Sequence, residues 1–247
     1  KIVVKEMMRR LKFWDDEVME FYCRPELFGV IPEPRPSVKY FPEWFKRIPP
    51  TLQQRDQFGG PSFSAKKCFP LIESMSLGYM MPLAGDTRII TNNDCSEIQA
   101  TNPPTVKTLE FHNVEQIGGK GAPGFPANPV KFINHWVIET APGWSTLFIP
   151  PINHFNENFT VLGGLVDTDK YPKEVNFPAI WHTRNADIGI PAGTPIIQTI
   201  PIYRKKLPKK ARIREATLKE VERIDKMQKI QQSRISYYTN ELREKKN

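Results

Sequence analysis

Twenty-four prolines distributed along 247 residues are the strongest constraint on what this chain can fold into. Proline fixes φ and lacks a backbone N–H, which excludes it from helix interiors and from strands hydrogen-bonded on both sides. At roughly twice ordinary usage, the prolines confine regular structure to short elements separated by rigid turns. The apolar content of 39% is modest, yet 15 Phe, 7 Tyr and 5 Trp give large buried areas per residue. Short strands closed around aromatic side chains predict an all-β domain, a Pro-rich distorted barrel or sandwich with a few short helices. The length suits one such domain of about 200–250 residues.

Charge divides the chain in two. Residues 204–247 carry 15 Lys+Arg against 6 Asp+Glu, a net of +9, whereas residues 1–203 carry 20 against 21, a net of −1. This predicts a near-neutral β-rich domain, 1–203, followed by a basic arm, 204–247. Residues 24–50 of the domain hold seven prolines and several large aromatics, an irregular extended segment. The arm's cations Arg204, Lys205, Lys206, Lys209, Lys210, Arg212 and Arg214 are the expected partner-binding set, facing other protein subunits or a phosphate backbone. Beyond them, Thr217-Leu218-Lys219-Glu220 reads as a capping box. The absence of Gly and Pro from Leu218 to about Lys245 predicts a helix of roughly 40 Å. Its 4-3 seam, Val221, Ile224, Gln228, Gln231, Ile235, Tyr238 and Leu242, is apolar at both ends and polar in the middle. That pattern suits docking on a partner better than a self-sufficient coiled coil.

Strands are expected at Glu17–Tyr22, Tyr79–Pro82, Thr87–Thr91, Phe132–Thr140, Trp144–Ile149, Phe159–Val166, Glu174–Trp181 and Thr194–Tyr203. Ala141-Pro142-Gly143 predicts a hairpin between the fourth and fifth of these. A further hairpin is expected from Ile98 to Phe111 around Asn102-Pro103-Pro104. Helical turns are expected at Phe41–Lys46, and after Pro70 up to a closing Gly78.

Chemistry is concentrated between Gly163 and Ile202. Asp167 and Asp169 lie two apart, so an extended backbone points both the same way. Such a pair can hold a water, a hydroxyl or a metal, or can shape a turn by bonding nearby amides. Gly164-Leu165-Val166-Asp167-Thr168-Asp169-Lys170-Tyr171 resembles the Gly-rich turn of the trimeric dUTPase and dCTP deaminase superfamily, with one extra residue before the tyrosine. Pro191-Ala192-Gly193-Thr194-Pro195-Ile196-Ile197-Gln198 is similar to that superfamily's last-strand turn. The resemblance covers about 40 residues and implies a β-clip barrel, with Asp167 as water-activating base, Tyr171 packing on the nucleoside, and Mg²⁺. The Arg-Ser pair of the superfamily's upstream phosphate motif is absent from Pro150-Pro151-Ile152-Asn153-His154. A basic helix replaces its Gly-rich phosphate flap. The whole chain, from PEPRPSVKYFPEWFKRIP through KKCFPLIESMSLGYMMPL to the basic tail, also resembles an uncharacterised family of tailed-phage and bacterial genomes.

Other constellations are sparse. His112, His135, His154 and His182 lack metal-ligand spacing, so no metal site is expected, and His135 and His182 read as satisfied wall residues. Gly118-Gly119-Lys120-Gly121 lacks the strand and helix that a phosphate cradle needs. Cys23, Cys68 and Cys95 have no close pair and predict reduced, mostly buried thiols. No signal peptide or membrane span is expected.

These features predict a non-enzymatic structural or assembly protein, a tailed-phage virion component found in the particle or the host cytoplasm. Its β module would pack on neighbours and its arm would dock on partners, with no cofactor. A divergent nucleotide hydrolase or deaminase using Asp167, Tyr171 and Mg²⁺ is the enzymatic alternative, and a nucleic-acid-binding module acting through the arm is the third.

Overall fold

The computed structural model describes residues 18–55, 59–94, 97–119, 128–208, 210–233 and 237–244. Cys95, Lys120, Gly121, Lys209 and Ile235, which figure in the expectations above, lie outside the described residues. The chain divides into two compact units, Lys1–Lys205 and Lys206–Asn247.

The first unit is built from short antiparallel strands. In chain order these are β1 (Met19–Tyr22), β2 (Arg35–Pro36), β3 (Thr51–Arg55), β4 (Pro61–Phe63), β5 (Tyr79–Pro82) and β6 (Thr87–Thr91). Next come β7 (Ile98–Thr101), β8 (Leu109–Phe111), β9 (Asn128–Phe132), β10 (Val137–Thr140) and β11 (Trp144–Ile149). The set ends with β12 (Phe159–Val161), β13 (Gly164–Val166), β14 (Phe177–Trp181), β15 (Ala186–Ile190) and β16 (Pro195–Tyr203). Two short helices interrupt them, α1 (Glu43–Arg47) and α2 (Phe69–Ser76). The largest sheet runs β13-β11-β16-β5-β2, a second runs β12-β14-β9-β8 and a third β15-β6-β7, while β1 pairs with β10 and β3 with β4.

The ladders show where prolines can sit. Pro201 lies past Thr199, the last residue of β16 paired with β5, so β16 keeps only β11 as a neighbour there. Pro178 lies just outside the β12 ladder of β14, and Pro129 just outside the β8 ladder of β9. Each proline thus occupies a stretch where its strand has one ladder, and the missing N–H leaves no second ladder broken.

The predicted hairpins did not form. β10 pairs with β1, and β11 pairs with β13 and β16, although the turn between β10 and β11 closes as expected through Trp144 N–H to Ala141 O at 3.0 Å. Likewise β7 pairs with β6 and β8 with β9. The turns reverse the chain but deliver consecutive strands to different sheets. Phe159–Val166 divides at Leu162-Gly163 into β12 and β13, which also belong to separate sheets.

One core joins the sheets, with Trp181, Phe132, Met81, Ile89, Ile138 and Ile197 buried at its centre. Phe159 bridges two aromatic neighbours, tilted on Phe132 at 4.7 Å and stacked on Trp181 at 6.1 Å. Ile196 to Thr199 of β16 are all buried, as expected of a strand covered on both faces. Gly78 follows α2 in the left-handed conformation at φ 62°, the predicted helix stop, and a Cβ there would collide with the Thr199 carbonyl.

In the second unit α3 (Leu218–Ser233) spans 16 residues, about 24 Å. The capping box forms: Thr217 N–H donates to Glu220 Oε2 at 2.8 Å, and Glu220 N–H to Thr217 Oγ1 at 3.4 Å. The expected continuation to about Lys245 is not met at its end. Tyr238–Leu242 is a single π-type turn, and Arg243 is extended at ψ 123°. Tyr237-Tyr238-Thr239-Asn240 is a run of weak helix formers. Among the described residues no helix is long and apolar enough to cross a membrane.

Candidate functional site

Asp167 and Asp169 both reach one guanidinium, although the backbone at Thr168–Lys170 is a turn and not the extended chain expected, and between them Thr168 turns inward. Thr168 is buried, its hydroxyl 2.7 Å from Thr140 Oγ1 and 2.8 Å from Thr146 Oγ1. The two aspartates face Arg204. Its Nη1 donates to Asp169 Oδ1 at 2.9 Å and its Nη2 to Asp169 Oδ2 at 2.5 Å. Nη1 also lies 3.3 Å from Asp167 Oδ1 and donates to the Trp144 carbonyl at 2.5 Å. Ser145 Oγ donates to Asp167 Oδ1 at 2.6 Å, and Gly143 N–H to Asp169 Oδ2 at 2.9 Å. Gly143 adopts φ 88°, and the Tyr203 ring lies 3.2 Å from where a Cβ would stand. Glycine lets the backbone amide reach the carboxylate there.

Burial separates the two carboxylates. The Asp169 side chain is 6% exposed and that of Asp167 56%, with Arg204 at 26%. The Arg204 hydrogen bonds hold the Asp169 carboxyl below the usual carboxylate range, against the opposing effect of burial and with help from the Gly143 amide. Arg204 is in turn held more firmly protonated by Asp169. The acceptors of Asp169 are occupied by a guanidinium and an amide, which makes this cluster a clamp that fixes where the chain leaves β16. Tyr171 is exposed. The Pro150–His154 stretch stands at the opposite end of β11, about 17 Å along a six-residue strand.

That far end carries a feature the sequence reading did not single out. A cavity of about 400 Å³ lies between the Pro150–Asn156 loop, Phe159–Val161 and Thr194-Pro195. Asn153 and Phe155 in this loop have φ of 62° and 50°, and Asn185 is the only other non-glycine with positive φ among the described residues. For Phe155, which has no polar side chain to compensate, that conformation costs on the order of 1 kcal/mol or more. The loop is held from behind. Trp44 Nε1 donates to Asn153 O at 2.7 Å and Ile152 N–H to Gln198 Oε1 at 3.1 Å. The buried Gln198 also donates to Leu77 O at 2.7 Å and Ser74 O at 3.2 Å, tying the loop to the end of α2. Burial pushes the His154 pKa down, a bond with the Tyr40 backbone opposing, and His154 Nε2 is buried with no partner among the described residues. Phe155 remains 74% exposed, its ring 6.0 Å from that of Trp44. The αL conformation of Asn153 is within asparagine's known repertoire; nothing local in Pro-Pro-Ile-Asn-His-Phe announces that of Phe155.

The other histidines are engaged at the surface. His135 Nε2 meets Lys107 O, His182 Nε2 meets Thr160 Oγ1, and His112 Nδ1 meets Gln116 Oε1, each at 2.7 Å. Among the described residues no three His, Cys, Asp or Glu side chains gather as a metal site. Cys23 is half-buried and Cys68 exposed, so burial does not protect the Cys68 thiol as expected.

The seven cations assigned to partner binding are not equivalent. Arg204 belongs to the β unit and is committed to Asp169. Arg214 is committed to Glu220 through Nη1 to Oε2 at 2.7 Å and Nη2 to Oε1 at 2.6 Å. Arg214 is the main reason the Glu220 carboxyl sits at about 2, with Thr217 contributing. Lys205, Lys206, Lys210 and Arg212 are exposed. In the second unit Ile213, Leu218, Val221 and Ile224 are exposed as well, Leu218 at 84%, and Ile213 and Ile224 line a groove with Arg212, Arg223 and Met227. No model of a known protein family matches the chain, and no curated protein matches it either.

Proposed function

We propose that this protein is a structural or assembly component whose β module packs against neighbouring subunits and whose arm docks on a partner subunit through α3. The observation that carries this reading is the exposed set Leu218, Val221 and Ile224 on a capped helix whose other exposed residues up to Lys229 are polar or charged. Apolar side chains left exposed along one helix among cations mark a surface that gains by being covered. The Arg204 clamp supports the same reading, because it uses the Asp167/Asp169 bend for structure. The resemblances stated above extend the proposal to a β-clip type of barrel and to a tailed-phage particle as the setting.

The test is the mass in solution of the full chain and of the triple variant Leu218→Ser, Val221→Ser, Ile224→Ser, over a wide concentration range. Association in the full chain, lost in the variant while the β unit keeps its melting temperature, is expected. A full chain that stays monomeric at every concentration counts against docking on a second copy. Turnover of a deoxynucleoside triphosphate with Mg²⁺ that Asp167→Asn abolishes would replace this proposal with the enzymatic reading. Nucleic-acid affinity that falls steeply with salt would replace it with the third.

A further inference from the structure

The cavity at the Pro150–Asn156 loop has the attributes of a preformed ligand site, and its chemistry narrows the ligand. Its volume of about 400 Å³ lies within the usual range for small-molecule pockets. No Lys, Arg, Asp or Glu lines it, and burial disfavours a charged His154. A phosphate or carboxylate would enter without a counter-charge and lose its hydration uncompensated. A wholly apolar ligand fits no better, because uncharged hydrogen-bonding groups share the wall with the flat faces of Pro150, Pro151, Pro195 and Phe155.

Those polar groups have defined roles. Asn156 Oδ1 accepts from the amides of Asn158 at 2.9 Å and Phe159 at 3.2 Å, which leaves its amide nitrogen as the donor it can offer. Thr194 spends its hydroxyl proton on Pro191 O at 2.7 Å and retains lone pairs that accept. The ligand that matches has flat C–H faces for the prolines and the phenyl ring, and hydroxyls that both donate and accept. We propose that the cavity binds a neutral saccharide unit, with the strained loop presenting Phe155 as its stacking surface. The proposal does not depend on the arm's docking role, since the cavity lies wholly in the β unit.

The experiment is a titration of the full chain, followed by amide NMR and calorimetry, with a set of neutral mono- and disaccharides, with uronic acids, and with indole. At least one neutral saccharide is expected to saturate, with shifts at Asn153, Phe155 and Asn156. Phe155→Ala should weaken it by about tenfold, the loss of one good contact. Asn156→Asp keeps the acceptor that caps Asn158 and Phe159 but removes the donor, and should weaken binding by a similar factor. The proposal fails if no neutral saccharide saturates, if a uronic acid or indole binds more tightly than the best of them, or if Phe155→Ala binds like the parent protein with the loop amides unmoved.

Discussion

Arg204 and Asp169, 35 positions apart, meet through two parallel hydrogen bonds in which each guanidinium nitrogen serves one carboxylate oxygen. Bidentate geometry of this kind fixes orientation as well as distance. The pair closes the end of β16 against the β10–β11 turn, where Arg204 N–H also donates to Gly143 O at 3.0 Å.

Removing the buried partner leaves Arg204 with the longer contact to Asp167 as its ion pair. Asp169→Asn is expected to lower the thermal midpoint by about 5 °C in calorimetry, since breaking a largely buried pair costs far more than breaking an exposed one. Asp167→Asn should lower it by only about 1 °C, because that carboxylate is mostly in water and its guanidinium contact is longer. Equal losses would mean that the clamp is not centred on Asp169.

Acid should reveal the same bond. The Asp169 carboxyl titrates below its ordinary value of 3.8 in the folded protein, so its contribution is complete above that value and fades as pH falls through the lower folded one. Glu110 behaves alike over a wider window. Lys107 first and Lys131 second hold it at about 2 against an ordinary 4.5, through contacts of 2.6 and 2.5 Å. Its contribution is therefore complete above pH 4.5 and is lost as pH falls towards about 2. Urea midpoints measured from pH 6 downwards (roughly the usual plateau of stability) should fall with acid. Glu110→Gln should flatten the slope below pH 4.5, and Asp169→Asn the slope below 3.8.

Gln198 supports the cavity from beneath. Gln198→Leu keeps its approximate size but leaves Ile152 N–H, Ser74 O and Leu77 O without the side chain that satisfies them. A loss of about 3 kcal/mol in urea unfolding is expected, at about 1 kcal/mol or more for each stranded group. Faster hydrogen exchange at the Ile152 amide should accompany it.

Element positions were largely legible in the sequence. Alternation and turn residues placed β5, β6, β11 and β16 to within a residue or two, the Pro70/Gly78 punctuation bounded α2, and the Thr217/Glu220 spacing started α3. Partners were not legible, because a turn such as Ala141–Gly143 fixes where the chain reverses and not which strand waits on the other side. Asp167 and Asp169 come together through a turn closed by Lys170 N–H to Asp167 O, not through the extended backbone that their spacing suggested. Arg204 is different, since its neighbours Lys205 and Lys206 make it read as part of a cationic run, while its amide still bonds Gly143 O just past the end of β16. Phe155 gave no signal at all, because the residues that hold its loop at Ile152, Asn153 and His154, namely Gln198, Trp44 and Tyr40, are far from it in sequence.

The position of β16 governs the order in which this protein can fold. It is the last strand among the described residues, yet it lies in the middle of the largest sheet, between β11 and β5. A nascent chain that has not reached Tyr203 holds β5 and β11 without the strand that joins them, and their facing backbone groups stay open to other chains. Closure then waits on a contact between Tyr79 and Thr199, separated by most of the domain, which places this protein among the slower folders.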